Sequence, residues 1–305
     1  MLTASTAVTL ARVTAGGRTT AAVDLRGGGL RALVVDGVPL VETYPEGAPA
    51  PQCAGAVLFP WPNRVRDGRW TQRGVTHQLP VNEPGLGHAG HGLVGGTLFA
   101  ARARARDRVT VVGSVTAPPG YPFSLTLAVT YELTPRGLTV TSQVCNDSPV
   151  PAPVALGAHP YLRIGDVPTE DLVLRVPADT HLPLDERLIP RDAAGVDGTA
   201  FDLRRGRRLG TDDLHACFAV TPGSSTTVTA PDGRALELWA DDDFAYRQVY
   251  VSRAYPAPGD ESSRRALAVE PMTAPGDALN SGTGLRWVPP GGRWRLAWGI
   301  KASLG

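Results

Sequence analysis

Between Phe123 and Tyr131 every second residue is bulky and apolar, and this alternation restricts the chain more than any other pattern in it. Phe123, Leu125, Leu127, Val129 and Tyr131 fall on one side; Ser124, Thr126, Ala128 and Thr130 fall on the other. Side chains switch faces at every residue only in an extended strand, so the run predicts a strand with one face on a core. After the turn Pro135-Arg136-Gly137 the pattern resumes at Leu138, Val140 and Val144, as in an antiparallel hairpin. Leu236, Leu238 and Ala240 repeat it after Pro231-Asp232-Gly233, and Trp294, Leu296 and Trp298 after Pro289-Pro290-Gly291-Gly292. Helical periodicity is nearly absent, while 35 Gly and 28 Pro cut the chain into short pieces. The expected class is therefore all-β, a large sandwich of antiparallel sheets. No internal repeat or low-complexity linker divides the 305 residues, and residues 1–305 are read as one domain. The Pro-rich stretch Ser148 to Pro153 reads as a crossover between strands.

Composition narrows the chemistry. Thirty basic against 29 acidic residues leave a net charge of +1, so no long-range field favours nucleic acid or an acidic membrane surface. The alternating Arg102, Arg104 and Arg106 read as a strand showing three arginines to water. Lys301 is the only lysine, which leaves Schiff-base chemistry a single awkward candidate. Cys53, Cys145 and Cys217 are odd in number and lack CxxC spacing, which argues for a reducing compartment, and no run is apolar enough to span a membrane. The expectation is a cytoplasmic protein. No nucleophile-elbow, P-loop or HExxH motif is present. His88 and His91 stand three apart in a Gly-rich segment, but with Glu83 as the only acid nearby no metal site is expected; one histidine would meet a ligand and the other water.

What remains is a set of polar residues where apolar runs meet Pro-containing turns. Glu270 closes the run Ala266 to Val269 in AVEPMTAPGDALNSG, and His159 closes Val154 to Ala158 in GAHPYL. Both are expected at the ends of buried strands. With ordinary pKa values near ~4.3 and ~6.5, a Glu can take a proton and a His can give one. Asn63 and Arg64 follow two prolines in FPWPNR, where a buried Arg needs either a ligand hydroxyl or a structural carboxylate. Glu270 could equally pair with Arg264 or Arg265. A glycosidase would need a second carboxylate flanking the bond, yet Asp277 reads as a loop cap and Asp241 to Asp243 as a solvated turn.

The segments FPWPNR, HGLV, GAHPYL, RQVY and AVEPMTAPGDALNSG, in this order from about Phe59 to Gly282, resemble aldose 1-epimerases, the galactose-mutarotase-like family, and most nearly its bacterial epimerase-like branch. The resemblance implies a galactose-mutarotase-like β-supersandwich with a monosaccharide in an open cleft and no cofactor. It implies that Glu270 removes the anomeric hydroxyl proton while His159 protonates the ring oxygen, on opposite sides of the hemiacetal. Opening, rotation about the C1–C2 bond and reclosure would give the other anomer. It further implies His91 as a second donor near the ring oxygen, Asn63 and Arg64 as hydroxyl binders, and Gln248 and Tyr161 along the cleft. The chain departs from the family pattern in two places. His215 stands where the family usually has Asp, with Asp213 two residues earlier, and we place His215 at that position. Gly95 and Gly96 follow HGLV where Arg or Trp is usual, which opens one wall. These departures raise a different class of function on the same scaffold, sugar binding without turnover.

Overall fold

The computed structural model describes residues 6–256 and 263–305. Its strands pair antiparallel throughout, mainly in two large sheets. In the nine-stranded sheet, Ala100–Arg104, Arg108–Thr116, Ser124–Thr134, Gly137–Asn146 and Arg293–Ser303 run side by side, followed by Ala235–Ala240, Thr226–Thr229, Val173–Arg175 and Arg207–Arg208. The alternation read from the sequence is the reason this sheet has a dry face. Leu125, Leu127, Val129 and Tyr131 are buried, while Ser124, Thr126, Ala128 and Thr130 are half-buried on the outer face. Thr134 faces Gly137 across the expected turn, and Leu138, Val140 and Val144 continue the buried row. Ala100–Arg104 is exposed on both faces at the sheet edge, and Arg106 falls in the turn that follows, so charge guards an open edge.

The second sheet holds Ala194–Gly195, Thr180–Leu182, His215–Ala219, Tyr246–Pro256, Ser263–Met272, Gly157–Ala158 and Val57–Leu58, with Tyr161–Leu162 beside Ser263–Met272. Its inner face supplies Ala216, Phe218, Val249, Val251, Leu267 and Val269 to the core that the nine-stranded sheet also lines. The same strands present His215, Gln248, Tyr250 and Glu270 to a cleft on the opposite face. Ser148 to Pro153 is the expected crossover, leading from the nine-stranded sheet towards Gly157–Ala158 in the second.

One placement corrects the sequence reading. Glu270 lies inside its strand, because Tyr246 pairs with Met272 and the register carries on past Pro271. His159 stands directly after the buried strand Gly157–Ala158, as expected, with Tyr161–Leu162 following it. Neighbouring strands hold these positions in place whatever the local Pro signal says.

Leu127 is fully buried and its neighbour Thr126 faces outward. Leu127→Ala should cost about 2–5 kcal/mol, whereas Thr126→Ala, which loses only the 2.7 Å hydroxyl bond to Asp147 Oδ2, should cost about 1 kcal/mol. Denaturant midpoints of the two variants check the period directly.

Candidate active site

The eight residues singled out from the sequence converge on one cleft of about 700 Å³: Asn63, Arg64, His91, His159, Tyr161, His215, Gln248 and Glu270 all line it. Register explains how positions so distant in sequence meet. Gln248 pairs with Glu270 across two adjacent strands. On the other side of Glu270, Gly157 pairs with Met272 and Tyr161 with Ala268, which sets His159 opposite Glu270 in the same register. His159 Nε2 stands 3.4 Å from Glu270 Oε1. The two groups are neighbours on one wall, not facing walls, so the expected arrangement across a hemiacetal is corrected: no ring fits between them.

Both groups are buried, Glu270 to 2% exposure and His159 to 5%. Burial disfavours charge and pushes the Glu270 carboxyl from its ordinary 4.5 up to about 8, with Arg64 pulling the other way. Burial draws His159 down to about 4. The same effect takes His215 to about 4, and His91 to about 3 with His159 and Arg64 adding to it. The ordinary order of Glu below His is thereby reversed, and near neutral pH the pair holds a single proton. Glu270 Oε2 and the Nδ1 atoms of His91 and His159 have no hydrogen-bond partner within the protein.

The surroundings hold these groups rigidly. The His159 ring stacks on Tyr161 at 5.1 Å and meets the edge of His91 at 5.5 Å. Tyr161 is itself buried, with its hydroxyl 3.3 Å from Gln52 Oε1, so it backs the His159 ring as well as lining the cleft. Asn63 Nδ2 donates to Gln248 Oε1 at 3.3 Å. Arg64 has a structural carboxylate and still faces the cleft: its Nε and a terminal nitrogen each donate to Glu83 at 2.8 Å. The Gly95–Gly96 wall is open, since an added Cβ at either position meets nothing within 4 Å.

The charged residues nearest these segments in sequence have partners of their own. Arg264 pairs with Glu42, and Arg265 bonds to Asp212 O, so neither holds Glu270. Asp213 is exposed and paired with Arg253, whereas His215 lines the cleft beside Tyr250. Asp277 accepts from Arg66 N and Asn280 Nδ2 as a loop cap. Asp241 to Asp243 are exposed, as expected of a turn, though Asp243 also accepts from Trp294 Nε1. His88 was expected to be half of a histidine pair with one member in water. It is instead fully buried, with Nδ1 accepting from Asp67 N at 3.1 Å and Nε2 against Arg187 O at 3.0 Å. Tertiary contacts therefore occupy both nitrogens.

Sequence reasoning missed Gln52, Cys53, Glu83, Leu188 and Tyr250 as cleft residues. Tyr250 alone carried a readable signal, two residues after Gln248 on one face of a strand. Gln52, Cys53 and Leu188 arrive on loops with positive φ, which no side-chain pattern announces.

The protonation order has a consequence for stability. Glu270 holds its proton up to about 8 in the folded state but releases it near 4.5 when unfolded. Its contribution is therefore complete below about 4.5 and is lost as pH rises towards about 8. Glu270→Gln should leave stability almost unchanged at pH ~4 and raise it by a few kcal/mol at pH ~8. Denaturation curves at the two pH values check the sign.

A model of the family described as aldose 1-epimerase matches residues 9–301. YihR, an uncharacterized protein of Escherichia coli (strain K12), is 31% identical over 277 residues, covering 90% of this chain and 87% of its own length. Galactose mutarotase of Mus musculus is 34% identical over 168 residues, which is 53% of this chain and 48% of the mouse protein, about half the length of that relative. Among solved structures, the GalM/aldose epimerase homologue from C. elegans shares the fold with a TM-score of 0.84, covering 98% of this chain and 99% of its own at 19% identity.

Proposed function

This chain belongs to the aldose 1-epimerase family, and from that premise we propose that it is an aldose 1-epimerase-type isomerase that interconverts the α and β anomers of a free aldose. The observation that carries the reading is the one-proton pair, Glu270 and His159 at 3.4 Å on the wall of a polar cleft. A hemiacetal carbon bears two oxygens side by side, the anomeric hydroxyl and the ring oxygen. Two neighbouring groups can serve both at once. Glu270 Oε2, which has no partner in the protein, takes the anomeric hydroxyl proton. The hydroxyl's hydrogen bond stabilises the carboxylate and so enlarges the minor form of the pair in which the proton lies on His159 Nε2; from that form His159 gives the proton to the ring oxygen. The C1–O5 bond breaks, leaving an open-chain aldehyde. Rotation about C1–C2 presents the other face, the ring oxygen attacks, and the two transfers run backwards, which returns the pair to its starting state.

The remaining residues serve binding. Asn63, Arg64, His91, His215 and Gln248 offer donors and acceptors to ring hydroxyls, with Arg64 fixed in direction by Glu83. The reaction as drawn requires neither redox change nor a covalent intermediate. We place the protein in the cytoplasm, acting on a free monosaccharide as one domain; Cys53, Cys145 and Cys217 are all unpaired, and no helix among the described residues is long and apolar enough to cross a membrane.

Optical rotation of freshly dissolved α-galactose and α-glucose tests the reading. The native protein should speed the approach to equilibrium, and Glu270→Gln and His159→Ala should each lose about 10² to 10⁴ of that acceleration. Sugar binding with no acceleration would instead support a binding protein without turnover. The kcat/KM profile should be bell-shaped with limbs near 4 and 8, because both groups are protonated below the first and both deprotonated above the second. A profile centred between the ordinary values of Glu and His, with limbs near ~4.3 and ~6.5, would contradict it.

A further inference from the structure

Five non-glycine residues that line the cleft have positive φ: Gln52, Cys53, Asn63, His91 and Leu188. Leu188 differs from the rest, because at φ 62° it holds a purely aliphatic side chain where Gly or Asn would sit at ease. Such a position persists only when its surroundings fix it, and here they are specific. Asp185 Oδ1 accepts from Arg187 N at 2.9 Å and Ile189 N at 3.0 Å, and Asp185 O accepts from Leu188 N at 2.9 Å. Arg66 holds the other Asp185 oxygen at 2.8 Å. Arg187 grips Asp67 at 2.6 Å and Leu86 O at 2.8 Å. His88 closes the frame between Asp67 N and Arg187 O. None of these five anchoring side chains lines the cleft. Their common product is an aliphatic group held on a loop of the cleft, which Ala56, Val57 and Leu93 also line but which is otherwise rich in donors and acceptors.

Building on the proposed epimerase reading, we propose that Leu188 is a specificity-determining residue, which selects aldoses carrying hydrogen or methyl rather than hydroxyl at the carbon that reaches it, and that His88 is its positioning residue. A hydroxyl pressed against Leu188 loses water and gains no partner, whereas a C–H or methyl group is accommodated. Leu188→Asn keeps nearly the same size, suits the backbone angle and offers a donor and an acceptor.

The experiment measures kcat/KM for mutarotation of an active aldose and each of its singly deoxygenated derivatives, with native protein and Leu188→Asn. One derivative should match or exceed the parent with native protein and fall below it by about tenfold with Leu188→Asn, the others keeping their order. His88→Ala should weaken the same preference, and His88→Gln, which retains a donor and an acceptor, should restore it. A Leu188→Asn variant that scales all sugars alike, or changes none, overturns the proposal. If the native protein accelerates no anomerisation, the epimerase reading fails separately. The same comparison by calorimetric affinity for the same sugars then decides the role of Leu188.

Discussion

A carboxyl and an imidazole buried side by side are the constraint around which the rest of this structure is arranged. In water the glutamic acid would be the stronger acid of the two. Removed from water, each favours its neutral form, and the proton distribution inverts: Glu270 rises to about 8 and His159 falls to about 4. Bulk solvent would cancel this effect, so the strands beneath the pair have to exclude it. The 266–269 run, buried on both faces of its strand, does so.

Rigidity around the pair comes from unlike sources. Strand register fixes Gln248 and Glu270, and an aromatic stack on Tyr161 fixes the His159 ring. Arg64 is held by a bidentate carboxylate, which also reduces the cation's influence on the buried carboxyl. The cleft loops are held differently. Gln52, Cys53, His91 and Leu188 sit in the left-handed region, a conformation that their side chains disfavour and tertiary contacts sustain, and Asn63 shares it without strain. Regular strands supply the floor of the site and strained loops supply its rim.

The sheets were legible in the sequence because their signal is local. Alternation from Phe123 to Tyr131 reports a dry face whether or not the partner strand is known, and turn residues mark where it ends. The eight site residues were legible partly as polar interruptions of apolar runs and partly through motif resemblance. Arg64 was half legible: a buried guanidinium needs a partner, but nothing local said that the partner is Glu83, nineteen positions along. His88 misled, since a histidine three residues from His91 was expected to meet ligand or water, and only the fold brings Asp67 N and Arg187 O onto its two ring nitrogens.

By itself the sequence determined the β class, the strand faces and the residues able to exchange protons, because each depends on residue type and spacing along the chain. Tertiary structure alone decided that Glu270 and His159 are neighbours on one wall, that burial inverts their proton affinities, and that Leu188 reaches the cleft. Those properties depend on distance through space and on the exclusion of water, and strands far apart in the chain create both only when they pair.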